Sequence, residues 1–528
     1  MNVGVLELIS FTVPPEWQAQ RAESLLRRHL HSLMPQVVSC WARRLGHNVH
    51  YATYYGQADP LSLLPKTLDL VFVSASTQAS LLAYGVAAAF RKAGTRTVLG
   101  GPHAKCFPAD ASRFFDTVVA GACDERLIGA ILSDQIGPRS IVASASRPTR
   151  FPSVCEREPE ILRANGTTRP DRVRVVGLLG SVGCPYTCNF CTEWNSPYQA
   201  TDAAQLTEDV RRVARHHPRA VIAYHDPNFA VQFDRTLDAI EAAGPPYPRY
   251  VMNCSLSVLR PDRLERLRRT NCLFLAPGIE SWYDYGNKAL VGGMRGRDKL
   301  DHVAAKLAEV RQFVRGLQAN FIFGTDEDAG REPADLTIEF IRRAPYAWPN
   351  VNIPTPYGGT PLYDRYLAEN RVQRRLPLAF YCAPYLVSTL KNYDVVNYYG
   401  HLIRILEAAT SAGAILRRVA ARNSSAVRLA HLSQSLSYRT QLGEMRRVHR
   451  LLKSDPSFRA FHENSSSVLP EFYDQRLRHR LGRYSELVTA EDCRPVLDPV
   501  PVQFVGGVIQ PAGRGRPNPA LQQTAGHD

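Results

Sequence analysis

No stretch of the sequence approaches eighteen consecutive apolar residues. The richest, Leu81–Phe90, is short and flanked by polar groups, so no transmembrane segment is expected. The start, Met1-Asn2-Val3-Gly4-Val5-Leu6-Glu7, lacks the basic-then-apolar order of a secretion signal, and a cytosolic protein is expected. No collagen-like period runs through the 34 Gly and 37 Pro, and the only repetition is a generic alternation of strand and helix. Acidic residues are in deficit: 49 Asp and Glu against 64 Lys and Arg leave a net charge of +15. Such a field draws in nucleic acid, anionic lipid or an acidic substrate without choosing among them. Much of the excess lies late, as in Arg476–Arg483, and reads as a solvated helix face. What is present, 45% hydrophobic and 21% charged residues in 528, excludes wholesale disorder. The length allows roughly two to four domains.

The first 135 residues alternate strand-like and helical runs, the pattern of βαβ units on a parallel sheet. Strands are expected at Val3–Ser10, Val49–Tyr54, Leu68–Ser74, Thr95–Leu99 and Thr117–Ala120, with helices over Glu23–Leu45 and Leu81–Lys92. Residues 136–172, rich in Pro, Ser, Arg and Thr, read as a linker with little structure of its own. A second alternating series starts at Val173 and holds six strand candidates in about 190 residues, which suits a partial barrel over residues 173–370. Residues 371–498 read as helical, with helices over Val395–Ala421, Ser424–Ser454 and Pro470–Ala490. Residues 499–528 are Pro-, Gly- and Gln-rich and read as a disordered tail.

Cysteine is present in odd number. Eight of the eleven are scattered singly, as small buried hydrophobes of a reducing compartment. The other three share one short string, Gly183-Cys184-Pro185-Tyr186-Thr187-Cys188-Asn189-Phe190-Cys191, just after the first barrel strand. Thiolates spaced C-x3-C-x2-C can wrap a compact cluster of soft metal ions. With three ligands, a four-iron cluster keeps one iron open to a small molecule. The same residues admit three free cysteines, or a zinc site with a distant fourth ligand, although zinc sites usually pair C-x2-C with a second pair that this chain lacks.

In this string the sequence resembles the radical S-adenosylmethionine (SAM) superfamily. The resemblance implies a 4Fe-4S cluster on Cys184, Cys188 and Cys191 that reductively cleaves SAM to a 5′-deoxyadenosyl radical, with Phe190 beside the adenine. Tyr224-His225-Asp226-Pro227-Asn228-Phe229 resembles a turn of cobalamin-type members and makes Asp226 a candidate SAM contact; a turn cap is its plain structural alternative. Gly278-Ile279-Glu280-Ser281 resembles the segment whose Glu holds the ribose hydroxyls, which implies Glu280. Phe321-Ile322-Phe323-Gly324 resembles the fifth-strand segment that packs on adenine, which implies Gly324. Ile353–Tyr363 resembles a sixth-strand segment, with Gly358 where proline is usual.

Residues 1–135 resemble the cobalamin-binding domain that precedes the barrel in one subgroup. That implies a doubly wound, Rossmann-like sheet with Ser74, Gly100, Gly101 and Gly121 close to the cofactor. The Asp-x-His-x-x-Gly motif that supplies a cobalt-ligating imidazole is absent, and His103 reads as a loop residue. The expected function is SAM cleavage serving cobalamin-dependent methylation of an unactivated centre in a small molecule, or a natural-product or lipid precursor. An external electron donor such as flavodoxin or ferredoxin is implied. Non-methylating radical chemistry (cyclisation, rearrangement or oxidation) and a cobalamin- or metal-binding sensor are the alternatives. Nucleic acid is not an expected partner, since no appended RNA-binding barrel and no further cluster cysteines are recognisable. The tyrosines between Phe380 and Tyr399 read as packing, or as a cap on the barrel mouth.

Overall fold

The computed structural model describes residues 1–13, 31–229, 231–283, 293–421 and 424–506. The first sheet is built from β1 (Asn2–Leu8), β2 (Asn48–Tyr54), β3 (Leu70–Ala75), β4 (Arg96–Gly100), β5 (Thr117–Val119) and β6 (Ser140–Ser144). All pairs are parallel, in the order β2-β1-β3-β4-β5-β6. The strand order reverses between β1 and β3, which makes a doubly wound sheet whose crevice lies beyond the carboxyl ends of the strands. Side chains alternate: Leu6, Leu8, Val71 and Val73 enter one core, and Val3, Val5, Leu70 and Phe72 the other. Helix Ser80–Lys92 covers the first face, while Leu33–Arg44 and Glu125–Leu132 cover the second. The expected helix over Glu23–Leu45 is seen from Leu33; residues 14–30 lie outside the described part.

The second sheet holds β7 (Val175–Leu178), β8 (Val221–Tyr224), β9 (Arg249–Ser255), β10 (Cys272–Glu280), β11 (Gly316–Ile322) and β12 (Ala347–Asn352). Its strands are parallel and neighbour one another in chain order, the topology of a partial (β/α)6 barrel. Amphipathic helices follow the strands, among them Ala203–His216, Phe233–Ala243 and Glu332–Arg343.

Two stretches expected to lack structure have it. Residues 136–172 contain β6 and helix Glu158–Ala164, and the segment is stapled between the sheets by a buried guanidinium. Arg157 donates to Gln36 Oε1 (2.9 Å) on the first unit, to Pro152 O (3.0 Å), and to Gly177 O (3.1 Å) on β7. Tertiary hydrogen bonding of this kind leaves no trace in local periodicity. In the supposed tail, Gln503–Val505 adds a parallel edge strand to β6; residues 507–528 lie outside the described part. Helix Val395–Ala421 is in fact two helices, broken where Ser411 Oγ caps Ala414 N–H. The helical region packs on the barrel rather than standing apart: Tyr438 OH bonds Asn350 Oδ1 (2.9 Å) and accepts from Val351 N–H (3.0 Å).

Candidate active site

The three cysteines fall in a loop fastened on several sides. Just beyond β7, Ser181–Val182 pairs antiparallel with Gln199–Ala200, closing a loop that contains all three. Gly183 sits at φ +71°, and a Cβ there would lie 2.1 Å from Pro197 O, so only glycine fits before Cys184. Inside the loop Cys184 N–H donates to Ser196 O (3.1 Å), Cys191 N–H to Cys188 O (3.1 Å) and Trp194 N–H to Cys191 O (2.9 Å). Leu362 N–H donates to Asn189 O (2.9 Å), tying the loop after the first barrel strand to the segment after the sixth. From the first unit, Lys105 Nζ reaches Glu193 Oε1 at 2.7 Å.

Cys184 and Cys188 are buried, Cys191 is half-buried, and none is in a disulfide. Among the described residues no three His, Cys, Asp or Glu side chains converge on one point as a mononuclear metal site would require, whereas a four-iron cluster takes one thiolate per iron. The donor set fits an iron–sulfur cluster: three thiols in eight residues, none in a disulfide, on a loop whose frame is held by other groups.

Asp226 belongs to that frame. It is buried beyond β8 and accepts from Gly180 N–H (2.9 Å) and Ser181 Oγ–H (2.6 Å), so both carboxylate oxygens are committed to the root of the cysteine loop. It is absent from the lining of the cavity described next, and the contacts it makes are those of a residue that positions the loop root. Burial pushes its carboxyl up to about 6, against the downward pull of the Ser181 and Gly180 hydrogen bonds. A folded value above the unfolded one means that the native state binds the proton more tightly between roughly pH 4 and 6. The group's contribution to stability therefore falls as pH rises through that window and is flat above it. Asp226→Asn removes the titration. The stability of wild type minus that of the variant, from urea melts, is expected to fall by up to about 3 kcal/mol between pH 4 and pH 7. A pH-independent difference would show that the carboxyl does not titrate there.

Two cavities flank the loop. The first, about 330 Å³ at the barrel mouth, is lined by Phe190, Glu280, Asn320, Asn352, Tyr357 and, from the first unit, Gln78, among others. Glu280 is carried into it by a break in the β10–β11 register and by a left-handed backbone at φ +65°, uncommon for a residue with a side chain. Its carboxylate folds back over Gly278, where any Cβ would collide with it. Backbone strain of this sort clusters at functional sites. Asn320 and Asn352 were not singled out from the sequence. Asn320 alternates with Phe321 along β11, which a period-two reading extended to polar lumen positions could have found. Gly324 is not among the residues lining this cavity, and a Cβ there would collide with the Tyr398 ring. Tyr398 stacks on Phe323 and donates to its carbonyl oxygen (2.8 Å), so a helix of the C-terminal region occupies the space next to Gly324.

The second cavity, also about 330 Å³, lies beyond the carboxyl ends of β3, β4 and β5 and is walled by Ser74, Gly100, Gly101 and Gly121. Most of its other walls are apolar, and its far side is the cysteine loop itself, through Val182, Thr192 and Glu193. A Cβ on Gly100 would meet nothing within 4 Å, so the glycine leaves space that a flat group could enter, and the residues present fit one. His103 is apart from this wall; it is buried in the first unit, 2.6 Å from Tyr84 OH, and burial lowers its imidazole to about 3. Gly358, at the position where the barrel motif usually has proline, abuts the first unit: a Cβ there would lie 2.0 Å from Cys106 O. That contact accounts for the departure.

Comparison with known proteins agrees with this geometry. Residues 178–328 match the radical SAM superfamily. Over 314 residues the chain is 24% identical to bacteriochlorophyllide d C-8(2)-methyltransferase of Chlorobaculum tepidum, covering 56% of this chain and 68% of that one. Over 306 residues it is 22% identical to bacteriochlorophyllide d C-12(1)-methyltransferase of the same organism, covering 56% and 65%. The anaerobic magnesium-protoporphyrin IX monomethyl ester cyclase of Cereibacter sphaeroides is 22% identical, over 51% of this chain and 48% of that one. The fold is that of the radical SAM methyltransferase TsrM of Kitasatospora setae, solved with cobalamin and a [4Fe-4S] cluster bound, at TM-score 0.50 and 14% identity over 70% of this chain and 75% of that one. With residues 178–328 matching the radical SAM model and methyltransferases among its relatives, the chain carries a radical SAM domain and is an enzyme.

Proposed function

We propose that the chain is a cobalamin-dependent radical SAM methyltransferase acting on a small molecule. One observation carries this reading: the cysteine loop forms a wall of both cavities, through Phe190 on the barrel side and through Val182, Thr192 and Glu193 on the side of Ser74, Gly100, Gly101 and Gly121. Two cofactor sites sharing one wall suit a reaction in which both groups meet one substrate. Cys184, Cys188 and Cys191 hold the 4Fe-4S cluster in this reading, Phe190 and Glu280 orient SAM in the barrel cavity, and the strand-end residues of the first sheet hold the corrin ring. When bound, these groups supply one-electron cleavage of SAM and a transferable methyl. The chain's own part is to bind, orient and exclude water: Asp226 fixes the loop root, Glu280 presents a carboxylate, and apolar side chains keep the second cavity dry. No imidazole from an Asp-x-His-x-x-Gly motif is offered to cobalt. An external donor of the flavodoxin or ferredoxin type supplies electrons in a reducing cytosol. The names of the relatives put tetrapyrroles among the first substrates to screen.

The test is anaerobic purification with cobalamin supplied, then iron, sulfide and corrinoid measured on one sample. About four irons and one corrinoid per chain are expected. With reductant and a methyl-accepting substrate, S-adenosylhomocysteine and 5′-deoxyadenosine should both form alongside the methylated product. Similarity to the cyclase favours a second reading, radical chemistry without methyl transfer. Deoxyadenosine without S-adenosylhomocysteine, from a protein that binds no corrinoid, would select it.

A further inference from the structure

The long helix Ser425–Ser454 buries one face on the barrel and the neighbouring helices, through Val427, Tyr438, Leu442, Met445 and Val448. Its opposite face carries Leu429, Leu432 and Leu436, which remain 65%, 39% and 55% exposed. Their spacing of i, i+3 and i+7 puts them in one stripe about 10 Å long. Leu416, on helix Ala412–Ala420 that packs beside it, is 69% exposed. Large apolar side chains scattered singly over a surface need no explanation, but an aligned row does. The surrounding charge is one-sided: from Ser411 to Ser454 there are nine Lys and Arg and one acid, Glu444. Exposed Arg428, Arg439 and Arg450 lie within about 60° of the leucine stripe around the helix axis.

We propose that this face docks on an anionic lipid bilayer, with the helix lying in the plane of the interface. The leucines enter the headgroup–acyl boundary and the arginines meet lipid phosphates, the arrangement of a basic interfacial helix. Charge complementarity selects this occupant. A second copy of the chain on the same face would set two arginine rows against each other, whereas an anionic surface neutralises them. No described helix is long and apolar enough to cross a membrane, so the attachment is peripheral and reversible. The inference rests on the helix surface alone and stands apart from the cofactors proposed above.

Co-sedimentation of the full chain with vesicles tests it. Binding is expected to vesicles of phosphatidylcholine and phosphatidylglycerol in equal parts, and not to phosphatidylcholine alone. The triple variant Leu429→Gln, Leu432→Gln, Leu436→Gln should keep the wild-type melting temperature, because the three side chains are exposed, and should bind at least about tenfold more weakly. Arg428→Gln with Arg439→Gln should weaken binding and flatten its salt dependence. No binding by wild type, or equal binding by the triple variant, overturns the proposal. So does a concentration-dependent dimer that the leucine variant dissolves, or a requirement for the arginines without the leucines.

Discussion

Cys184→Ala, Cys188→Ala and Cys191→Ala are each expected to yield a folded protein that purifies without its iron and forms no 5′-deoxyadenosine from SAM. The fold should survive because the loop's frame does not depend on the thiols. Asp226 with Gly180 and Ser181, the pairing of Ser181–Val182 with Gln199–Ala200, and the Leu362–Asn189 hydrogen bond are all made by other groups. Losing one thiol from a three-thiol set leaves a cluster with two protein ligands, too few to hold it through purification, so the loss should be near complete rather than partial. Cys254→Ala is the control: this thiol is buried on β9, outside the loop, and its removal should cost about 1 kcal/mol of stability with iron content unchanged. Iron and sulfide assay after anaerobic reconstitution, with product analysis under dithionite, reads all four variants. Full iron and full SAM cleavage in any of the three loop variants would remove that residue from the ligand set.

Gly100→Val is expected to separate the two cofactors. A valine side chain there meets no protein atom at its Cβ and projects into the cavity of about 330 Å³, so the protein should fold and the cavity should shrink. Corrinoid retained after gel filtration should fall at least about tenfold, while iron content and 5′-deoxyadenosine formation stay at wild-type level, because the cysteine loop and the barrel cavity are untouched. Gly101 is the poorer choice, since at φ +88° and with a Cβ 2.9 Å from Ser74 Oγ its replacement would strain the fold itself. Corrinoid binding by Gly100→Val as tight as wild type would place the ligand elsewhere. Loss of iron along with corrinoid would mean that the two sites are not independent.

The order of strands and helices was readable from the chain, and so was the cysteine loop. Both are written in local pattern: apolar alternation for β3, helical spacing for Phe233–Ala243, and three thiols within eight residues directly after a strand. Contiguous residues keep their spacing whatever the rest of the chain does, so a motif of this kind survives translation into structure. The glycines and serine at the ends of β3, β4 and β5 were likewise legible as a set, because parallel strands must end at the same side of their sheet. What packing alone decided were the meetings of segments far apart in sequence. Asp226 holds Gly180 and Ser181, Gly324 faces Tyr398, and Gly358 faces the Cys106 carbonyl. The stretch around Arg157, poor in any period, proved to be a strand, a helix and a buried guanidinium bridging two sheets. Local periodicity reports which face of an element is apolar, but a buried polar group is satisfied by whichever distant donor or acceptor the docking of domains brings to it.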